Sequence, residues 1–125
     1  MPAFDEPAVE TRAAISTGNS DGDWLCAWCL NRVANETNRF SHEGKDEFTF
    51  ANPEGFRFDI ITFSETLGCR QTGEPTLEHT WFPGHGWSYC LCAQCGHHLG
   101  WYFSGPSEFA GLIKERIVRA LCLRN

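Results

Sequence analysis

Glu78-His79-Thr80-Trp81-Phe82-Pro83-Gly84-His85-Gly86-Trp87 is the stretch around which this chain is arranged. Two indoles, Trp81 and Trp87, stand on either side of a Pro83-Gly84 turn, and Trp101 follows one short strand later. Between the second and third indoles lies Cys92-Ala93-Gln94-Cys95-Gly96, half of a metal knuckle, and the other half is Cys26-Ala27-Trp28-Cys29 far upstream. A C-x-x-C turn brings two sulfurs to one metal, and structural zinc takes four such ligands in a tetrahedron. Gly96 suits the tight turn after the second pair. The expected metal set is therefore Cys26, Cys29, Cys92 and Cys95, closing around one zinc and leaving no open position for chemistry. Spacing alone leaves Cys90, His97 and His98 as alternative ligands. The long interval between the knuckles implies that a whole sheet is inserted between them.

At 125 residues the chain is one domain. Seven cysteines, an odd number arranged with two C-x-x-C pairs, point to metal in a reducing, cytoplasmic setting rather than to a disulfide framework. There are 16 Asp and Glu against 10 Lys and Arg, with no basic run. That balance excludes ordinary nucleic-acid binding, which needs concentrated positive charge against phosphates. No stretch has the length of a membrane span, and the start of the chain has no charged-then-apolar pattern of a secretory signal.

Residues 1–22 are small, polar and acidic, and read as a disordered or loosely attached arm before a domain at 23–125. Residues 31–45 read as loop and short turns. Glu47-Phe48-Thr49-Phe50 carries strand signals, Asn52-Pro53-Glu54-Gly55 is a type I turn, and Phe56-Arg57-Phe58-Asp59-Ile60 alternates as a half-buried strand should. The three together predict a hairpin. Residues 68–75 read as loop. Residues 76–82 and 87–92 are expected to pair across the Pro-Gly turn. Leu99, Trp101 and Phe103 alternate with His98, Gly100 and Tyr102, which puts Trp101 and Phe103 on one face of a strand that Pro106 ends. Residues 108–121 are ambiguous, with helical spacing of apolar positions opposed by Gly111 and β-branched residues. The fold class is mostly β.

Aromatic stripes are usually core. Here the indoles flank a turn at a sheet's rim, and each carries a donor that needs a partner if fully buried. Three indoles lining an open slot suit a flat neutral ring or an alkylammonium. Polar contacts are expected from the backbone near His79-Thr80-Trp81 and from the His79 side chain, with Glu78 close in sequence.

These residues resemble the thalidomide-binding (CULT) domain of cereblon, above all its short stand-alone bacterial versions. The likeness runs from about residue 24 to about residue 121. It is carried by Glu78-His79-Thr80-Trp81-Phe82-Pro83-Gly84 with Trp87, by Cys92-x-x-Cys95, and by Leu99-Gly100-Trp101-x-Phe103. The resemblance implies a zinc-stapled β-tent of two antiparallel sheets, and a cage of Trp81, Trp87 and Trp101 closed by Phe103 that accepts a cyclic imide such as glutarimide. It implies that the imide N–H donates to the His79 carbonyl, that one imide carbonyl accepts from the Trp81 amide, and that the other meets the His79 side chain. Asn52 and Pro53 match the position that touches the rest of a larger ligand. Cyclised peptide ends and uridine-like rings are further candidates. The chain lacks the regions through which cereblon joins a ubiquitin ligase, so no ligase partner is expected of it. His85-Gly86 occupies the variable turn between the cage indoles.

Affinity for so small a ring is expected near micromolar, about −8 kcal/mol. Two other readings compete with a binding module. Methionine-R-sulfoxide reductases share the tent and paired C-x-x-C zinc, and a thiol enzyme of that kind would use Cys69, Cys90 or Cys122. A methyl-lysine reader would prefer positive charge in the cage.

Overall fold

The computed structural model describes residues 21–123. The predicted arm at 1–22 lies almost wholly outside the described residues. Strands are β1 (Asp23–Cys26), β2 (Arg32–Asn35), β3 (Glu47–Ala51), β4 (Arg57–Phe63), β5 (Cys69–Thr76), β6 (Gly86–Cys92), β7 (His98–Ser104), β8 (Glu108–Ile113) and β9 (Ile117–Arg119). They form a three-stranded sheet in the order β2-β1-β9 and a six-stranded sheet in the order β3-β4-β8-β7-β6-β5. All pairings are antiparallel. The mostly-β expectation of two antiparallel sheets in one domain is met.

The large sheet is buried on both faces at its centre. Ile61 and Phe63 face the small sheet, where they meet Trp24, Val33, Cys90, Leu99 and Leu112. Ile60 faces the other way, into a second cluster with Phe82, Phe103, Phe109 and Ile113. A strand covered on both sides needs a continuous apolar run rather than alternation. Ile60-Ile61-Thr62-Phe63 and Phe109-Ala110-Gly111-Leu112-Ile113 are such runs. This settles the ambiguous tail: its i, i+3, i+4 apolar positions come from a strand buried on both faces, followed by a 3-10 turn at Lys114–Arg116.

The hairpin over β3 and β4 forms as expected, with Phe48 opposite Ile60 and Phe50 opposite Phe58. The Gly55 amide donates to the Asn52 carbonyl at 2.9 Å and closes the turn. Three expectations need correction. Residues 31–45 are not all loop, since β2 pairs with β1 there. Residues 68–75 are not loop either but most of β5, an edge strand paired with β6. Its Arg70-Gln71-Thr72-Gly73-Glu74-Pro75 is polar because the strand is exposed. Gly73 takes a φ of 88° where the register slips between Thr72 and Thr76, and Pro75 is tolerated because an edge leaves N–H groups unpaired. Finally, residues 76–82 do not pair along 87–92. Thr76 meets Trp87, and residues 77–85 then leave the sheet as a loop.

That loop is held from inside. Phe82 plugs the second core cluster, and the buried His85 ring bonds the Pro83 carbonyl at 3.0 Å and Ser107 Oγ at 3.1 Å. Thr80 Oγ1 donates to the His85 carbonyl at 2.6 Å. No helix among the described residues is long and apolar enough to cross a membrane.

Candidate functional site

The two C-x-x-C segments meet at one end of the small sheet. Each is a turn of the same design. The Cys26 amide donates to the Asn31 carbonyl and the Leu30 amide to the Cys26 carbonyl, both at 2.8 Å; Cys92 with His97 and Gly96 with Cys92 repeat this at 2.9 Å. The residue after each second cysteine is left-handed, Leu30 at φ 64° and Gly96 at φ 81°. Glycine takes this conformation freely, whereas leucine holds it at a cost of about 1 kcal/mol or more. An aromatic plate joins the turns across the gap, with Trp28 stacked on His97 at 4.1 Å and 4°.

The sulfurs of Cys26, Cys29, Cys92 and Cys95 all lie within 4.8 Å of one another. Cys26 to Cys95 and Cys29 to Cys92 are each 3.6 Å. Four thiolates on a tetrahedral zinc, each about 2.3 Å from it, stand about 3.8 Å apart. The donor set therefore fits, and these four cysteines can hold a metal ion. Their protonation is split. Burial pushes Cys29 up to about 12, with the Cys92, Cys95 and Cys26 sulfurs adding to it. Burial would raise Cys92 as well, but the Cys95 and Gln94 amides, the Asn31 side chain and the Cys29 thiol outweigh it and bring it to about 7. Backbone donors are thus already aimed at a thiolate.

Of the alternative ligands, His97 lies at the cluster's edge with its Nδ1 3.3 Å from Cys95 Sγ, outside the four-sulfur set, and the other two are engaged elsewhere. Cys90 lies in the core beside Cys69, whose S–H and the Tyr102 hydroxyl hold its thiol below the ordinary range. His98 faces away from the sulfurs, across the large sheet. The cause is a bulge: the register shifts between Cys90 and Leu91, so that Gly100 opposes Cys90 while His98 opposes Leu91. Leu99 consequently joins the cluster containing Cys90, on the opposite face from Trp101, and His98 rather than Leu99 shares the face of Trp101. Gly100 permits the close approach, because a Cβ there would sit 1.9 Å from the Gly111 carbonyl oxygen.

A cavity of about 410 Å³ opens on that face. Trp87 and Phe103 are direct neighbours across β6 and β7, as are Tyr89 and Trp101, so four rings form one wall by strand periodicity. The β3–β4 turn supplies Asn52, Pro53 and Glu54, with Phe58 just beyond it, and the 77–85 loop supplies His79 and Trp81. Trp81 is fixed on three sides. It stacks on Phe50 at 5.0 Å, meets Trp101 edge-on at 4.8 Å, and donates its Nε1 proton to the Ala51 carbonyl at 3.1 Å. Trp87 donates its own to the Glu78 carbonyl at 2.7 Å. Each of these two indole donors is thus satisfied by a named carbonyl, leaving the rings half-buried rather than packed shut. Phe103, 2% exposed, forms the floor.

Of the residues singled out in the sequence, Asn52, Pro53, His79, Trp81, Trp87, Trp101 and Phe103 converge on the cavity. The side chains of Glu78 and Thr80 do not line it. Thr80 braces the loop, and the Glu78 carboxylate lies outside, 3.8 Å from His79 Nε2. His79 itself has a φ of 57°, a left-handed residue that is not glycine, which is the kind of local strain that recurs at binding sites. Sequence reasoning missed Glu54, Phe58, Tyr89 and His98. Tyr89 was recoverable from strand alternation with Trp87, and Phe58 from alternation with Ile60. His98 was not, because bulges leave no simple mark in a sequence.

His98 connects the two regions. Its Nε2 bonds the Gly100 carbonyl at 2.8 Å, and its ring stands edge-on to Trp101 at 5.0 Å and to Tyr89 at 5.4 Å. Arg116 Nη1 donates to the His98 carbonyl at 2.9 Å and approaches Nδ1 at 3.4 Å. The Arg116 carbonyl, in turn, accepts from the amide of Ala27 inside the first knuckle at 3.0 Å. Burial lowers the His98 pKa, and the Arg116 charge adds to this against the opposing Gly100 hydrogen bond, so the neutral ring is favoured.

No protein-family model matches the chain. Curated proteins do. The chain is 32% identical over 75 residues to a protein named cereblon from Gallus gallus, across 55% of this chain and 17% of that protein. Proteins of the same name from Drosophila erecta and Drosophila melanogaster are 30% identical over 122 residues, covering 87% of this chain and 20% of theirs. The chain thus spans about one fifth of the length of these fly relatives. Matched over most of its own length to that one segment, and built as two antiparallel sheets beside a four-cysteine cluster, this chain belongs with the cereblon CULT-like domains.

Proposed function

We propose that this domain is a binding module for small neutral cyclic imides of the glutarimide type, held among Trp81, Trp87 and Trp101 over Phe103, with one structural zinc on Cys26, Cys29, Cys92 and Cys95. The observation that carries the reading is the half-open cavity of about 410 Å³ walled by the rings of Phe58, Trp81, Trp87, Tyr89, Trp101 and Phe103, with left-handed His79 at its edge. An imide presents acceptor, donor and acceptor along one edge, and the backbone carbonyl and amide groups of the loop around left-handed His79 and Trp81 are the complement we assign to it. Its apolar rim suits indole faces. Among the described residues, no cysteine, serine or threonine lines the cavity, which supports binding rather than covalent chemistry on such a nucleophile. Cys69 and Cys90 lie in the core against the other face of the sheet.

Titrating glutarimide into the wild-type domain while following indole fluorescence tests this directly. A saturable change with an affinity near micromolar is expected. No response at millimolar glutarimide, with the protein folded and metal-loaded, would sink the proposal.

A further inference from the structure

We propose that the ligand is a neutral ring bearing a positively charged substituent, and that Glu54 at the mouth of the cavity selects for it. This rests on the imide reading and names the ligand class that reading leaves open.

The cavity, at about 410 Å³, lies in the range of pockets that take drug-sized ligands. One small ring does not fill it, so a substituent has room. Glu54 shows where that substituent leads. It sits in the turn closed by Gly55 and Asn52, exposed to water yet lining the cavity. Among the described residues, no lysine or arginine lines the cavity. The histidines there do not offset the carboxylate: His98 has its Nε2 on the Gly100 carbonyl and its Nδ1 towards Arg116, and His79 already has Glu78 beside it. The fixed charge at the mouth is therefore negative.

Two further features act in the same direction. Aromatic faces present negative potential to whatever lies over them, and the chain as a whole carries a net charge of −6, which draws cations and repels anions at long range. The charge belongs at the mouth and not in the cage. The floor at Phe103 is 2% exposed and carries no carboxylate, whereas Glu54 is on the rim.

The test uses glutarimides substituted at one carbon with an alkylammonium, an isosteric neutral alkyl, or an alkylcarboxylate, titrated against wild type and Glu54→Lys. Wild type should bind the ammonium compound about threefold to fivefold more tightly than the carboxylate, the scale of a solvent-exposed ion pair. Glu54→Lys should reverse that order, a result that a damaged fold cannot produce. The preference should collapse at about 1 M salt. Equal affinity of the two charged compounds for wild type, or an unchanged order in Glu54→Lys, overturns the inference while the imide reading stands. Failure of every glutarimide, the neutral one included, removes the imide reading and this inference with it. Tetramethylammonium binding as tightly as the ammonium glutarimide would place the charge in the cage and also overturns it.

Discussion

The two ends of this molecule achieve order by opposite means. The cysteine end is built from two copies of one local turn, each with the same pair of backbone hydrogen bonds, and it needs only four like donors brought within 4.8 Å. The aromatic end has no repeated unit. Its walls come from the β3–β4 turn, a loop, β6 and β7, and each indole is positioned by a different neighbour. A local motif shows in a sequence as spacing, whereas a convergent pocket shows only after the strands are registered. The difference also predicts how each end fails. Loss of one donor at the first should be global, and loss of one ring at the second should be local.

The largest effect is therefore expected at the sulfurs. Cys92→Ser removes the thiol that the backbone amides already favour as a thiolate, and leaves three donors beside a buried gap. Metal affinity in such sites is part of folding free energy, on the order of 10 kcal/mol, comparable to the whole stability of a small domain. Cys92→Ser, or a strong chelator on wild type, should abolish cooperative thermal unfolding. Metal analysis should return one zinc per wild-type chain. A folded, zinc-free protein would erase the contrast between the two ends.

Next in size is Trp87→Ala. Its ring rests on Tyr89 at 5.4 Å and its Nε1 proton on the Glu78 carbonyl, both at the cavity rather than in the metal-side core. Glutarimide affinity should fall at least about a hundredfold, while zinc content stays at one per chain and the melting point drops by about 4–12 °C with unfolding still cooperative, as for loss of about 1–2 kcal/mol in a domain of this size. Equal loss of fold and binding would show that the aromatic end is core after all.

What the sequence disclosed follows the same division. The four sulfurs and the β3–β4 hairpin were legible because each depends on residues close together in the chain. The three indoles were identified as a group, yet their setting was misread. Residues 76–82 were expected to pair with 87–92 because a Pro-Gly turn lies between them, but the partner of β6 is the polar stretch 69–76, whose Gly73 and Pro75 look like loop and in fact mark an edge strand. Residues 108–121 were undecided for a related reason. A strand covered on both faces lacks the alternation that identifies a half-buried one, and its apolar run also satisfies helical spacing. In each case tertiary position, not local preference, decided the outcome.

A smaller effect tests whether the two ends communicate. Arg116 reaches from the knuckle backbone at Ala27 to His98, and His98 stands against Trp101. His98→Ala should weaken glutarimide binding about fivefold with zinc retained, since a ring contact of this kind contributes about 1 kcal/mol. His98→Gln, which keeps an N–H for the Gly100 carbonyl, should recover part of that loss. Arg116→Met should resemble His98→Ala in affinity. If all three variants bind as wild type does, the connection has no functional consequence.

The smallest expected effect is a pH dependence from the same histidine. Burial and Arg116 depress its pKa in the folded state, while in the unfolded chain it titrates near the ordinary value of about 6.5. Between the folded and unfolded values, the unfolded state binds more protons, so stability must rise with pH in that window and fall as pH drops below about 6.5. The four thiols also compete for protons in acid, so the measurement is the difference in unfolding free energy between wild type and His98→Gln, in which the thiols are common to both. That difference should shrink steadily from about pH 7.5 to about pH 5.5. A protonated His98 must turn an N–H towards the Arg116 guanidinium, and the Trp101 wall it supports should loosen with it. Ligand affinity is therefore expected to fall over the same interval in wild type and less in the glutamine variant. A flat difference in both measurements would mean that His98 is held by packing alone, and that the cage stands independently of the knuckle.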